Sequence, residues 1–378
     1  MSPMSSAREQ WLYRYRDQVG RPRDELTTPA LILDLDKAKW NISAMANKFR
    51  DLPTELRPHI KVHKSIELAR LQIDAGAIGI ACATVWEAVV MAEGGIEDVL
   101  IANQVVQRDK IAEVVALARD HKVTLAVDNV GNVEELSRAA TVAGSELDLL
   151  IEVDVGMGRC GVRSNEDAAL LAERIAELPG IRFRGVQGYE GHCMREPDLE
   201  RRVVLTQLAN ERLIGAVDHL SRIGHHTEVV SAGGTGTYFI TGANPRITEV
   251  QAGSYVLMDC FHDSLVPGGF EIALTVLSTV VSRQGNTVVL DGGRKSIGID
   301  FVMPNLVGYP QGEVRYFAEE HCIVDFPGPP PLDLGDTAEV PAGYGPTTVN
   351  LYDVFHVIED GVVVDIWPVS PRGPGRPI

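Results

Sequence analysis

A chain of 378 residues, 45% of them apolar, is long enough to bury one large core and a smaller second one. Its 35 lysines and arginines face 52 acids, and the net charge of −17 repels phosphate backbones and anionic lipid. A nucleic-acid or membrane-surface partner is therefore not expected, and an anionic small ligand would need a locally positive pocket.

From residue 29 the chain becomes rhythmic. Short β-rich apolar runs fall at Ala30–Leu35, Leu56–Val62, Ile78–Ala83, Val99–Gln104, Thr124–Asp128, Leu149–Val155, Phe183–Tyr189, Thr227–Ala232 and Glu249–Leu257. Amphipathic stretches separate them: Asp36–Phe49, Ser65–Ala75, Val85–Gly94, Lys110–His121, Asn132–Ala143, Glu166–Leu178 and Glu200–Ile223. Continuous apolar strands joined by helical crossovers form parallel sheets buried on both faces. The pattern predicts a (β/α)8 barrel, with Ala30–Leu35 as a lead-in strand and Leu56–Val62 as the first barrel strand. A doubly wound sheet is the competing arrangement. The strand ends carry Lys61, Arg159, Tyr189 and Gly233, and barrel sites form at those ends.

After residue 265 the helical rhythm stops. Ile272–Val281, Thr287–Leu290, Glu313–Phe317, Thr337–Val340 and Val354–Ile366 read as strands broken by glycine and proline. The fold class is thus α/β. Residues 1–28 are expected to pack on the β domain, 29–265 to form the barrel, and 266–378 to form the C-terminal β domain. Five cysteines fall singly, without a CxxC pair, which suits a reduced, cytoplasmic setting. The opening segment lacks the apolar run of a signal peptide, and no stretch reaches the ~18 apolar residues of a membrane span.

Three segments carry chemistry. Lys61 lies in Arg57-Pro-His-Ile-Lys-Val-His-Lys64, at the end of a barrel strand. A lysine is a nucleophile when partly neutral, and desolvation beside His59, His63, Lys64 and Arg57 favours that state. A solvated basic loop would contain the same residues. Ser231-Ala-Gly-Gly-Thr-Gly-Thr-Tyr238 follows the seventh strand, and Gln251-Ala-Gly-Ser-Tyr255 the eighth, where barrels hold phosphates. Ser231, Gly233, Gly234, Thr235, Gly253, Ser254 and Tyr255 are the candidates, through backbone N–H groups and hydroxyls. A plain turn is the alternative. Arg159, in Glu152-Val-Asp-Val-Gly-Met-Gly-Arg159, either sets a permanent cation under a ligand or bridges to Asp154.

Together with Thr28-Pro-Ala-Leu-Ile-Leu-Asp-Leu, Ile101-Ala-Asn-Gln, Gly188-Tyr and Thr348-Val-Asn-Leu-Tyr-Asp, these motifs, in this order, resemble the D-threonine aldolase/D-serine dehydratase family. That family is related to alanine racemase. The resemblance covers residues 25 to 360. It implies an alanine-racemase-like barrel plus β domain, a homodimer, and pyridoxal 5'-phosphate bound as a Schiff base to Lys61. Arg159 then resembles the arginine at the pyridine nitrogen, and Tyr189 the aromatic residue near the ring. Such an arginine keeps that nitrogen unprotonated, which weakens the electron sink and disfavours transamination.

The sequence also departs from the family. Relatives place metal ligands, His-x-Asp or His-x-Cys, just before Thr-Val-Asn-Leu. Counting back from Asn350 puts Tyr344 and Pro346 at those positions, and neither is a plausible ligand. The usual divalent metal site is expected to be lost, with no metal ligands assigned. Ala83 and Thr84 also replace polar residues of the metal-dependent aldolases. Glu190 and His192 follow Tyr189 in place of the sequence that metal-dependent relatives carry.

Tyr344, His192 and His321 are the candidate catalytic acids or bases. For Tyr344 the alternative is a packing tyrosine in a glycine-rich turn, and for His321 a satisfied structural histidine. The expected activity is that of a lyase acting on a D- or β-hydroxy-amino acid, by retro-aldol cleavage or dehydration. A metal-independent racemase or epimerase is the alternative, and a non-catalytic carrier of the cofactor a third possibility.

Overall fold

The computed structural model describes residues 15–373 and 375, and the chain divides into two compact units. One unit comprises Met45–Lys61 and Leu68–Gly253. The other draws on residues before Met45, on Val62–Glu67 and on the chain from Ser254 onward. Strand β1 (Ala30–Asp34) falls in the latter, so the expected lead-in strand serves the β-rich sheet and not the barrel.

The first unit is the barrel. Its strands are β2 (Glu55–Leu56), β3 (Ile80–Cys82), β4 (Asp98–Ile101), β5 (Lys122–Val127), β6 (Leu147–Glu152), β7 (Ile181–Gly188), β8 (Val229–Ala232) and β9 (Glu249–Val250). All pair in parallel, in the order β2-β9-β8-β7-β6-β5-β4-β3. The ring closes where His59 bridges Ala81: the Ile78 N–H donates to the Leu56 carbonyl (3.0 Å) and the Ala81 N–H to that of Pro58 (2.9 Å). Strand β6 is buried along its whole length, as a run covered on both faces must be. The helices between strands start on capping side chains. Asn129 caps Val130–Ala143, Ser164 caps Asn165–Glu177 and Asp198 caps Leu199–Arg222. Thr84 forms a capping box with Glu87 at the start of Val85–Glu93. Thr84, singled out as a changed polar position, is thus a helix cap.

The predicted strand Leu56–Val62 is mostly irregular. Only Glu55–Leu56 pairs as a strand, and Ile60–Val62 is a 3₁₀ turn that carries Lys61. Pro58 lacks the N–H needed to continue the ladder.

The second unit is built on β10 (Leu274–Gln284), β11 (Thr287–Leu290), β12 (Glu313–Phe317), β13 (Cys322–Asp325), β14 (Thr337–Pro341), β15 (Val354–Glu359) and β16 (Val362–Pro368). Their order is β12-β13-β11-β10-β1-β15-β16, with β14 also on β10. The single predicted strand Val354–Ile366 is a hairpin. It turns at Asp360 and Gly361, whose φ values of 49° and 75° suit a tight two-residue turn. Leu26 packs in a cluster with Ala30, Ile32, Leu277, Val354 and Val363, and the Gln18 side chain bonds the buried His356 ring (2.7 Å). Residues 15–28 therefore lie on this sheet; the rest of the expected 1–28 segment is outside the described residues.

Candidate active site

The barrel unit brings two cations to one aromatic ring. Lys61 Nζ stands 5.4 Å from the centroid of Tyr189, and the Arg159 guanidinium carbon 5.7 Å from the same centroid. Burial pushes the Lys61 pKa below its usual 10.5, and the charge of Arg159 pushes it further; Glu87 pulls the other way.

Arg57, Lys64 and His63, expected to do this, are engaged elsewhere. Arg57 is buried on Glu249 (3.0 Å) and Asp98 (2.7 Å). Lys64 donates to the Pro371 carbonyl (3.1 Å), and His63 Nδ1 accepts the Ser65 N–H. His59 Nδ1 faces the Lys61 N–H at 3.4 Å. Arg159 does the work that the sequence assigned to this basic cluster, because the chain turns at Ile60–Val62 and spreads the cluster's side chains apart.

Each member of the group is positioned by its own element. Lys61 sits beyond the barrel-closing bridge, where the chain is tightly packed: a Cβ on Gly253 would lie 2.2 Å from the His59 carbonyl oxygen. Arg159 is exposed on the loop after β6. Asp154 folds that loop by accepting the N–H groups of Gly156 (3.0 Å) and Gly158 (2.9 Å). Burial alone would raise the Asp154 pKa, but these donors and Arg163 hold it below the usual carboxylate range. The alternative of an Arg159–Asp154 bridge is not realised; the arginine beside Asp154 is Arg163, at 3.8 Å.

The glycine loop is close to Tyr189, since a Cβ on Gly234 would lie 3.3 Å from the ring. Its first two amides face inward. Gly233 donates to Glu190 Oε2 (3.0 Å) and Gly234 to the Thr237 hydroxyl (3.1 Å). This corrects the expectation that the N–H groups of Gly233 and Gly234 project toward a ligand. Thr235 follows them in the same buried loop.

A polar chain links the ends of the neighbouring strands β6, β7 and β8. The Gln251 amide donates to Ser231 Oγ (2.8 Å) and Gln187 Oε1 (3.2 Å), and the Gln187 amide donates to Glu152. Ser231 is thus fully buried and serves this network. Burial pushes the Glu152 pKa up to about 7, against the pull of Gln187 and Arg159.

His192 lies in the same unit, in the 3₁₀ helix Gly191–Arg195 that follows Tyr189. A Cβ on Gly156 would lie 3.2 Å from its ring, which places it on the loop that carries Arg159. Its Nδ1 is buried without a hydrogen-bond partner.

The remaining candidates belong to the other unit. Ser254 opens a buried 3₁₀ turn, and the Tyr255 ring packs on Phe270 at 5.6 Å. His321 is exposed between β12 and β13. Tyr344 precedes the short helix Gly345–Val349, whose first turn tolerates Pro346 because the N–H that proline lacks would have no helical partner there. Burial, with Asp259 and Asp300, pushes the Tyr344 phenol up to about 12, so it is neutral at ordinary pH.

Sequence reading missed Asp259 and His262. Asp259 is fully buried, holds His262 Nδ1 at 2.8 Å and accepts the Gly345 N–H at 2.8 Å. The His262 ring stacks on Tyr344 at 5.9 Å and 17°. The signal was an Asp and a His three residues apart at a helix start, a pairing that caps the helix as well. Among the described residues no group of three or more His, Cys, Asp or Glu side chains is placed to hold a metal ion.

A parallel eight-stranded barrel joined to a β-rich unit defines the alanine-racemase-like class. Residues 33–260 match the family model "Alanine racemase, N-terminal domain", and residues 273–358 match "Putative serine dehydratase domain". The chain is 37% identical over 364 residues to a D-threonine aldolase of Arthrobacter sp, covering 95% of this chain and 96% of that protein. It is 35% identical over 370 residues to a 3-hydroxy-D-aspartate aldolase of Paracoccus denitrificans (strain Pd 1222), covering 94% and 95%. The crystal structure of D-threonine aldolase from Filomicrobium marinum is similar at a TM-score of 0.90 and 34% identity, covering 94% and 98%. The chain belongs to the D-threonine aldolase/D-serine dehydratase family of alanine-racemase-like proteins.

Proposed function

We propose that the protein is a pyridoxal-phosphate-dependent lyase acting on a D-configured or β-hydroxylated amino acid. Cleavage between Cα and Cβ releases glycine and an aldehyde; dehydration releases an oxo acid and ammonia. The observation that carries the reading is the convergence of Lys61 and Arg159 on the Tyr189 ring.

The donor set fits the cofactor. An amine of lowered pKa suits its aldehyde, a permanent cation suits its ring nitrogen, and an aromatic ring suits its flat face. When bound, pyridoxal phosphate supplies an electron sink for charge developing at Cα. Lys61 would hold the cofactor through Nζ and, once displaced by the substrate amine, would be a free amine able to accept and return a proton. Arg159 would face the ring nitrogen, where its permanent charge would disfavour protonation and weaken the electron sink. Within the barrel unit, the loop from Gly233 to Thr237, with Thr235 at its centre, and Gly253 would hold the phosphate; Ser254 and Tyr255 are the candidates of the other unit.

His192 is the proposed base within the barrel unit; Tyr344 and His321 are the proposed acid/base groups of the other. A neutral Tyr344 and a proline at 346 make poor ligands, so the reaction is proposed to run without a divalent metal. We take the enzyme to be a cytoplasmic homodimer. No helix among the described residues is long and apolar enough to cross a membrane.

The test is incubation with D-threonine, D-serine and D-phenylserine, with and without chelator. Aldehyde, or oxo acid with ammonia, is the expected product. Solvent deuterium entering Cα without cleavage would replace this reading by a racemase. Absence of every product across a wide D-amino-acid panel would remove it.

A further inference from the structure

Glu190 is 1% exposed, yet it forms no ion pair among the described residues. Its carboxylate is held by three donors instead. Oε2 accepts the Gly233 N–H (3.0 Å), and Oε1 accepts the hydroxyls of Thr237 (2.8 Å) and Thr241 (2.8 Å). The Thr237 hydroxyl in turn accepts the Gly234 N–H, so one carboxylate governs the first two amides of the loop. Hydrogen bonds to a charged acceptor are about twice as strong as neutral ones, and a buried donor that loses its acceptor is costly.

The loop is shaped around this anchor. Gly233 adopts φ +83°, and a Cβ there would lie 2.8 Å from the Val250 side chain. Gly234 rests against Tyr189, the residue directly before Glu190. A single dipeptide at the end of β7 therefore supplies both the ring that Lys61 faces and the carboxylate that fixes the glycine loop. Neutral donors stabilise this buried carboxylate, and the first two amides of the loop are spent on the protein itself.

We infer that Glu190 is a positioning residue that sets the phosphate selectivity of this site: it holds the loop from Gly233 to Thr237 in the shape that receives a phosphate monoester beside Tyr189. The inference rests on the cofactor reading above. Glu190 acts through the loop and does not touch the reacting atoms.

The test uses the full-length apo-protein, titrated separately with pyridoxal phosphate and with pyridoxal, following the visible absorbance that each forms with Lys61. Glu190→Gln keeps the volume but offers one acceptor oxygen in place of two. It should weaken pyridoxal phosphate by about tenfold, the worth of a hydrogen bond to a charged group, and leave pyridoxal within about twofold. Equal weakening of both, or of neither, overturns the inference. If Glu190→Gln does not fold, Thr241→Val removes one donor outside the loop and should weaken pyridoxal phosphate alone, by about threefold; no selective change there overturns it equally. A wild-type protein that gives no absorbance with either ligand refutes the cofactor reading itself, a result distinct from the loss of selectivity.

Discussion

Lys61 and Arg159 stand on one ring, with Nζ 5.4 Å and the guanidinium carbon 5.7 Å from the centroid of Tyr189. The permanent charge of Arg159 helps keep the lysine pKa below 10.5. Capture of an aldehyde needs the neutral amine, so its rate rises as pH climbs through that pKa. Arg159→Gln removes one of the causes that lower it. The rise in cofactor capture should then shift to higher pH, and capture at neutral pH should slow by about tenfold for each unit gained. Stopped-flow absorbance across the pH range checks this; an unmoved profile would separate the two residues. The same variant should gain slow transamination, since a neutral amide no longer keeps a proton off the ring nitrogen.

Glu152 gives a pH-dependent stability. Its pKa is raised from 4.5 to about 7, so between those values the folded protein binds more protons than the unfolded chain. Stability therefore falls as pH rises through this window. Glu152→Gln should melt a few degrees above wild type at pH 8, and the gain should shrink as the pH drops below about 5. Thermal melts at both pH values measure it. A constant difference would mean that Glu152 does not titrate near neutrality.

Arg57 is a structural cation. It is buried on Glu249 and Asp98, and the pull of those carboxylates outweighs the cost of its burial. Arg57→Ala strands Glu249, itself 3% exposed. The expected loss is about 3–5 kcal/mol in urea unfolding of the apo-protein. A loss near zero would show that β2 and β9 are held together without this contact.

Prolonged dialysis against a strong chelator should leave lyase activity unchanged, because Tyr344 and Pro346 offer no hard anionic ligand. Loss of activity, restored by a divalent ion, would place a metal on groups other than Tyr344 and Pro346. Tyr344→Phe keeps the stacking on His262 and the edge-on contact with Phe301 and removes only the hydroxyl. A fall in kcat of about a hundredfold with KM little changed is expected if the phenol moves a proton; unchanged kcat would leave it a packing residue.

The barrel was legible because its strands are continuous apolar runs at regular spacing, and the loop motifs held their order along the chain. Less legible was which side chains satisfy which. Arg57, His63 and Lys64 look like a cationic cluster around Lys61, but a 3₁₀ turn sends them to separate partners. Gly233 and Gly234 look like free amides, yet a glutamate from the neighbouring strand end consumes one directly and the other through Thr237. Ala30–Asp34 has the composition of a barrel strand, and only pairing with β10 and β15 assigns it to the other sheet. Asp259 and His262 carried no warning beyond their spacing, since a capping aspartate and a surface histidine would read the same.

The central claim is that Lys61 is the amine that holds pyridoxal phosphate. Borohydride reduction of the holoenzyme, followed by peptide mass spectrometry, tests it most directly. The account predicts one phosphopyridoxyl group per chain, on Lys61, and none in Lys61→Ala. A label on another lysine, or undiminished activity in Lys61→Ala, would contradict it.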